Sequence, residues 1–201
     1  MTTIKIITGS TRPQRFGPQV ANWIKTVADE EAGAAGAEGD GVQFELVDLA
    51  EVNLPLLDEA TPPMMNQPQN EHTKKWAALV GEADGFVFVT PEYNHSVGAA
   101  LKNAIDYLIY QWAYKPVAFA SYGSLAGGSR AVEHLRGIAG ELKLYDLREQ
   151  VMIPNYWNQL DDSGRFVPAP EQEETARTML RDLIFWTAVM KAPREKLAAR
   201  R

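Results

Sequence analysis

The strongest constraint on the fold is a regular alternation of short apolar runs with longer amphipathic segments. The runs typical of strands are 3–8, 42–48, 85–90, 115–123 and 145–153. The segments with the apolar spacing of helices are 18–31, 71–83, 97–109, 129–142 and 171–190. Strands that alternate with helices in this way predict an α/β protein with a parallel sheet, because each helix returns the chain to the start of the next strand.

Two of the predicted strands indicate where they lie in the sheet. The run 85–90 is apolar throughout, which is typical of a central strand buried on both faces. The run 42–48 begins by alternating, so Val42, Phe44 and Leu46 are predicted to face inward from a strand near a sheet edge. Five strands and five crossovers in 201 residues fit a flavodoxin-like, doubly wound parallel sheet of order 2-1-3-4-5, with helices on both faces.

Length and composition limit the number of domains and the kinds of partner. We expect one domain over 1–201, with 192–201 as a solvated tail. A net charge of −6 argues against binding to a nucleic-acid backbone. We find no secretory signal and no run near the ~20 residues of a membrane span, so we expect a cytoplasmic protein that does not bind membranes. The absence of cysteine excludes thiolate metal sites and small phosphatases with a cysteine nucleophile.

Two connections lack regular patterning. Residues 32–41 are rich in Gly and Ala and are predicted to form a flexible surface connection. Residues 49–70 are rich in Pro and Asn, and a loop this long is typically functional or mobile.

Three unusual loops follow the first, third and fourth predicted strands: GSTRPQRFG at 9–17, PEYNHS at 91–96 and YGSLAGGSR at 122–130. Parallel strands point the same way, so these loops emerge at one edge of the sheet. In the order 2-1-3-4-5 the first and third strands are neighbours at the switch point, where such sheets bind ligands. The loops are therefore predicted to converge on one crevice.

The first loop has the chemistry of a phosphate site. Ser10 and Thr11 offer hydroxyls, while Arg12 and Arg15 offer charge and bidentate donors. The free N–H groups of the following helix point at the same place. A polar turn with surface arginines is the alternative interpretation.

The other two loops suit a flat ring and a close backbone approach. Tyr93 can pack on a heterocycle and Asn94 can hydrogen-bond its edge, unless Asn94 or Ser96 only caps the next helix. The glycines of the third loop permit close contact with a ligand. Its G-x-x-x-x-G spacing is followed by Ser129-Arg130 rather than Lys-Ser/Thr, which disfavours a triphosphate loop. The sequence also has no G-x-G-x-x-G fingerprint.

The stretches ITGSTRPQRFG, TPEYNHSVGAALKNAIDYL and SYGSLAGGSRAVEHLR together resemble the NADPH-dependent FMN reductase family, which includes quinone, azo-dye and chromate reductases. The resemblance covers roughly 3–153 and implies a flavodoxin-like fold, bound FMN and a homodimer or homotetramer. It also implies that the FMN phosphate and ribityl chain are held by Ser10, Arg12, Arg15, Phe16 and Gly17. The isoalloxazine ring would be lined by Pro91, Glu92, Tyr93, Asn94 and His95, and closed on the other side by Ser121, Tyr122, Gly123, Gly127 and Gly128.

The resemblance implies hydride transfer from NADPH or NADH to FMN, followed by reduction of a small-molecule acceptor of the flavin, quinone or azo type in a double displacement. The flavin then carries the chemistry, so we expect no catalytic side chain and no metal. Glu92 is interpreted as a structural hydrogen-bond acceptor. An electron carrier without its own NAD(P)H oxidation is the alternative, but Arg12, Arg15 and the modest net charge favour the enzyme.

Several residues outside the loops have simpler interpretations. His72 and His134 are expected to be ordinary helix residues, because no set of ligands accompanies them. Lys102, Asn103 and Asp106 are expected to serve in capping, ion pairing or subunit contact. The tryptophans are interpreted as core or interface anchors, and Trp112 with Tyr110 as a possible subunit contact.

Overall fold

A computed structural model describes residues 1–36 and 41–198. Its strands are β1 (Thr2–Thr8), β2 (Val42–Asp48), β3 (Gly85–Tyr93), β4 (Ser96–Val97), β5 (Pro116–Tyr122) and β6 (Tyr145–Ile153). Its α-helices are α1 (Gly17–Ala34), α2 (Leu49–Val52), α3 (Glu71–Glu82), α4 (Ala99–Asp106), α5 (Ser129–Glu141) and α6 (Pro170–Ala198). Short 3-10 helices lie at Pro63–Met65 and Tyr156–Gln159. Part of the predicted connection 32–41 belongs to α1, and residues 37–40 lie outside the described residues.

The sheet has the predicted topology. Its main strands are parallel in the order β2-β1-β3-β5-β6, which is 2-1-3-4-5 when the two-residue β4 is left out of the numbering. The extra strand β4 pairs antiparallel with the end of β3 and forms a hairpin that the sequence did not predict. The order puts β1 beside β3, so the switch point lies between the ends of those two strands.

The prediction for Leu46 in the edge strand was wrong. Phe44 is buried with the core on the α1 side, but Leu46 is 44% exposed. Its neighbour Val47 is buried in the core on the opposite face of the sheet. Helices cover both faces of this sheet, so Val47 is buried although it lies on the face opposite to Phe44. Leu46 is exposed because it lies at the margin of the sheet, outside the area that the helices cover.

Two hydrophobic cores sandwich the sheet. One joins the sheet to α1 and α6, and the other joins it to α3, α4 and α5. The second core contains Trp76 and Trp112, whose indole N–H groups donate to the carbonyls of Ala104 at 2.8 Å and Ile105 at 3.2 Å. Trp112 is fully buried, so the prediction that it contacts a neighbouring subunit was wrong. An indole ring can be buried in a core at a low cost in free energy when its N–H has a hydrogen-bond acceptor.

The long segment 49–70 is tied to α4. The Asn103 side chain accepts from the Leu57 N–H at 2.9 Å and donates to the Pro55 carbonyl at 2.7 Å. One turn further along α4, the Tyr107 hydroxyl donates to the same Pro55 carbonyl at 3.1 Å. His72 of α3 adds a contact of 2.8 Å between its Nε2 and a carboxylate oxygen of Asp58. Asn103 therefore positions this segment, whereas Lys102 forms the expected kind of ion pair, with Asp106 at 2.6 Å.

Helix α6 is longer than predicted. It runs through Pro193 to Ala198, whereas the apolar spacing indicated an end at residue 190. The buried Asp84, just before β3, accepts from the Thr3 N–H at 3.1 Å and from Lys191 Nζ at 3.0 Å, and it also pairs with Arg194. This charged cluster fixes the end of the helix against the amino edge of the sheet.

Replacement of Asp84 by alanine tests this cluster. We expect Asp84→Ala to lower the free energy of unfolding by about 3 kcal/mol, because it leaves two cations without their shared carboxylate. Chemical denaturation measures the change. Asp29→Ala is the matched control, since the Lys25–Asp29 pair on α1 is exposed and such pairs contribute less than ~1 kcal/mol. Equal effects of the two substitutions would contradict the role given to Asp84.

Candidate functional site

The three predicted loops meet at the carboxyl edge of the sheet, and a fourth joins them. We call residues 9–16 loop 1, 91–98 loop 2, 123–128 loop 3 and 154–169 loop 4. The hydroxyl of Tyr122, the last residue of β5 before loop 3, donates to Ser10 Oγ of loop 1 at 3.1 Å. Loop 2 contacts the first turn of α5, which follows loop 3, through Glu92. The convergence predicted from the strand order is therefore present.

Ser10 and the first turn of α1 form a tight cradle. Ser10 is 1% exposed, and its oxygen accepts a hydrogen bond from the Tyr122 hydroxyl. Burial raises the pKa of Tyr122 to about 12, so this phenol stays protonated and remains a donor near neutral pH. The Ser10 hydroxyl must therefore direct its own hydrogen elsewhere. A Cβ at Gly17 would lie 2.7 Å from Ser10 Oγ and 3.0 Å from the Tyr122 oxygen, so the cradle requires glycine there.

The two arginines of loop 1 have different surroundings. Arg12 is exposed, and hydrogen bonding with Tyr93, followed by charge interactions with Tyr93, Tyr156 and Tyr122, raises the pKa of its guanidinium. Arg15 is mostly buried and forms an ion pair with Asp48 at the end of β2. Its Nε is buried and has no hydrogen-bond partner among the described residues. Arg12 is thus the loop 1 cation directed toward the aromatic side of the crevice, and Arg15 braces the loop against β2.

Loop 2 is built around a tight two-residue turn. Asn94 and His95 both have positive φ, 50° and 66°, and they link the Tyr93–Ser96 pair of β3 and β4. Neither Asn94 nor Ser96 caps α4, which begins after Gly98 without a side-chain cap. Ser96 Oγ instead lies 2.8 Å from His134 Nδ1 on α5. The capping alternative is therefore wrong, and the turn leaves the side chains of Tyr93, Asn94 and His95 exposed at the crevice.

Glu92 has the structural role that its sequence position suggested. One carboxylate oxygen accepts from the Arg130 backbone N–H at 3.1 Å, and the other accepts from Arg130 Nη1 at 2.6 Å. The carboxylate thus lies at the amino end of α5, where negative charge is favourable. Glu92 fixes loop 2 relative to α5.

Two predicted cofactor ligands have their side chains committed to the interior. Ser121 is fully buried, and its hydroxyl donates to the Gly127 carbonyl at 2.8 Å. Phe16 is buried in the core beneath the cradle. Gly128 has a φ of 87°, and a Cβ there would lie 2.6 Å from the Ser121 Cβ. Ser121 and Phe16 therefore shape the loops from within, and only their backbone groups are available to a ligand.

Loop 4 was missed by the sequence analysis. Its Tyr156 stacks on Phe16 with ring centroids 4.5 Å apart and an interplanar angle of 21°. The edge of Tyr156 also meets Tyr122 at 5.6 Å. The signal was available, because PNYWNQL follows the last predicted strand and must leave the sheet at the same edge as the other three loops.

An open parallel sheet whose polar loops meet at the switch point is typical of a flavodoxin-like protein that binds a phosphorylated cofactor. The chain belongs to the NADPH-dependent FMN reductase family, whose model matches residues 2–158. It is 40% identical over 143 residues to an NAD(P)H-dependent FMN reductase of Schizosaccharomyces pombe, covering 70% of this chain and 67% of that protein. It is 32% identical over 146 residues to an NADPH:quinone oxidoreductase of Arabidopsis thaliana, covering 70% and 72%.

A solved structure supports the fold independently. The flavoenzyme FerB of Paracoccus denitrificans, an NAD(P)H:(acceptor) oxidoreductase, superimposes with a TM-score of 0.71 at 17% identity, covering 94% of this chain and 99% of that one. No helix within the described residues combines the length and apolar character needed to cross a membrane.

The cradle fits the phosphate end of FMN. It combines the buried Ser10 hydroxyl, which donates to no other group among the described residues, with the amino end of α1, and the exposed Arg12 lies in the same loop. The space is kept open by Gly17, where any side chain would collide with the two hydroxyl oxygens.

Gly17→Ala tests the cradle. We expect it to weaken FMN binding and to lower stability by about 1–3 kcal/mol, because the added methyl group overpacks the space between Ser10 and Tyr122. Flavin fluorescence titration and denaturation measure the two effects. Gly33→Ala on the same helix is the control, since a Cβ there meets nothing within 4 Å and binding should not change. Unaltered FMN affinity in Gly17→Ala would place the phosphate elsewhere.

Proposed function

We propose that this chain uses FMN to oxidise NADPH or NADH and to reduce quinone- or azo-type acceptors by double displacement. The observation that supports this most strongly is the convergence of loops 1, 2 and 3 around the Ser10 cradle. Membership of the family supports the cofactor and the hydride donor. The Arabidopsis relative, named an NADPH:quinone oxidoreductase, supports the acceptor class.

Each loop has a distinct task in this proposal. Ser10, Arg12 and the amino end of α1 neutralise and orient the phosphate. Tyr93, Asn94 and His95 present a ring, an amide and an imidazole along one edge of the isoalloxazine. Gly123 and Gly127 allow the backbone of loop 3 to approach the other side, because neither carries a side chain there. When bound, FMN supplies the capacity to accept a hydride and release electrons, so the protein need provide only position and electrostatics.

Loop 1 also bears on the alternative of an electron carrier. A carrier typically holds the phosphate with hydroxyls and docks through a strongly acidic face. This chain places the exposed guanidinium of Arg12 at its cradle, and its net charge of −6 is modest for 201 residues. Both features favour an enzyme that binds an anionic dinucleotide at the same opening.

A direct assay separates the two functions. The purified protein is mixed with FMN, NADPH and a panel of quinones, and the nicotinamide absorbance is followed. We expect steady NADPH consumption that depends on both FMN and quinone. If the absorbance stays flat while the protein demonstrably binds FMN, the carrier is the better interpretation.

Arg12→Ala tests the charge in the cradle. A hydrogen bond to a charged group is typically worth about 1.5–3 kcal/mol, so we expect the Kd for FMN to rise by roughly ten- to a hundredfold. Arg148→Ala is the control, because it removes the same charge at a side chain that is 92% exposed on β6. A fluorescence titration in which both variants match the unmodified protein would refute the role of Arg12.

We also propose that the chain forms a homodimer through α4 and α5, with a homotetramer as a further assembly. These helices border an apolar groove of about 1090 Å³ that includes Ile109, Gly137 and Ile138. Lys102 and Glu133 place both signs of charge along it. A two-fold axis places the same patch on both subunits, so a surface with apolar centre and mixed charges can complement itself.

Gly137→Arg tests the dimer. A Cβ at Gly137 meets nothing within 4 Å, so arginine can be accommodated in the monomer while its side chain fills the groove. We expect the dimer to dissociate in analytical ultracentrifugation with no loss of stability of the fold. Gly33→Arg, on α1 at the opposite face of the sheet and also in open space, is the matched control. A Gly137→Arg variant that sediments as the unmodified dimer does would rule out this face.

A further inference from the structure

Loop 4 is firmly attached to the cradle. The Asn155 N–H donates to the Ser124 carbonyl at 3.0 Å, and the Tyr156 N–H donates to the Gly123 carbonyl at 3.5 Å. The Gly123 N–H in turn donates to the Ile153 carbonyl at 3.2 Å. Asn155 has a φ of 46°, a left-handed conformation that turns the chain sharply after β6. The backbone that carries Tyr156 is therefore held against loop 3.

The Tyr156 ring occupies a defined position beside the phosphate cradle. It stacks on Phe16, the residue immediately before the first turn of α1, and its edge faces the ring of Tyr122. Phe16 also meets Tyr122 edge-on at 5.3 Å, so the three rings form one cluster. Tyr122 is the residue whose hydroxyl holds Ser10. The ring of Tyr156 thus contacts both Phe16 and Tyr122, the two aromatic residues that support the cradle.

The hydroxyl of Tyr156 is carried by a ring that meets Tyr122, the residue that holds Ser10. After hydrogen bonding with Tyr93, a charge interaction with Tyr156 is among the causes that raise the pKa of Arg12. Among residues 1–36 and 41–198, the Tyr156 hydroxyl has no hydrogen-bond partner. A half-buried phenol that has no hydrogen-bond partner among the described residues is available to donate to an anion.

We propose that Tyr156 donates its hydroxyl hydrogen to the FMN phosphate, as a ligand supplied by loop 4 in addition to those of loop 1. This inference rests on the proposed placement of the phosphate in the Ser10 cradle. Stacking on Phe16 holds the Tyr156 ring in place, and the hydroxyl supplies a contact that riboflavin, which lacks the phosphate, cannot use.

Tyr156→Phe tests the proposal, because it removes the hydroxyl and keeps the stacked ring. Kd values for FMN and for riboflavin are measured by flavin fluorescence in the unmodified protein and in the variant. We expect FMN binding to weaken by about tenfold or more, with riboflavin binding unchanged. Tyr145→Phe is the matched control, since it makes the same change at the opposite end of β6, where the ring packs on Trp186.

The outcomes distinguish this inference from the proposal on which it rests. If the unmodified protein binds FMN no more tightly than riboflavin, the phosphate site itself is wrong. If it prefers FMN and Tyr156→Phe keeps that preference in full, or loses both flavins equally, the phosphate contact of Tyr156 is overturned. Thermal unfolding of each variant confirms that the comparison is made between folded proteins.

Discussion

The hydrogen bond from Tyr122 to Ser10 is the interaction on which the site depends. It joins the ends of β5 and β1, which are separated by β3, and both partners are buried. Burial raises the pKa of the Tyr122 phenol to about 12, so the phenol stays protonated, and its O–H donates to the Ser10 oxygen. The bond therefore fixes the position of loop 1 and the direction of the Ser10 hydrogen together. Glycine at position 17 follows as a requirement, because the helix begins in contact with both oxygens.

The sheet order explains why such a bond can form. Placing β1 next to β3 and β3 next to β5 brings three successive strand ends within reach of each other. Glu92 then ties loop 2 to the amino end of α5, and backbone hydrogen bonds tie loop 4 to loop 3. The charged side chains at the two ends of the sheet have different surroundings. The Asp84 cluster at the amino edge pairs its charges within the protein, whereas the carboxyl edge keeps Arg12 exposed.

The sequence predicted the path of the backbone better than the surroundings of single side chains. Strand order and loop convergence follow from periodicity and from the direction of parallel strands, so both were predictable. Leu46 and Trp112 were not, because their burial depends on which helix covers them. Arg15 and Ser121 have side chains suited to a ligand, and only the fold shows that Asp48 and the Gly127 carbonyl already engage them. Tyr156 was missed because the motif argument stopped at the third loop.

We propose that the cradle is a binding site and not only an element of core packing. A buried polar group without a partner typically costs about 1–3 kcal/mol, a cost that a bound ligand removes. Ser10 is buried in the cradle, and its hydrogen is directed away from Tyr122. The lack of a side chain at Gly17 also leaves room beside the Ser10 and Tyr122 oxygens. Polar groups and space that are costly to the free protein gain a physical reason once an anionic cofactor satisfies them.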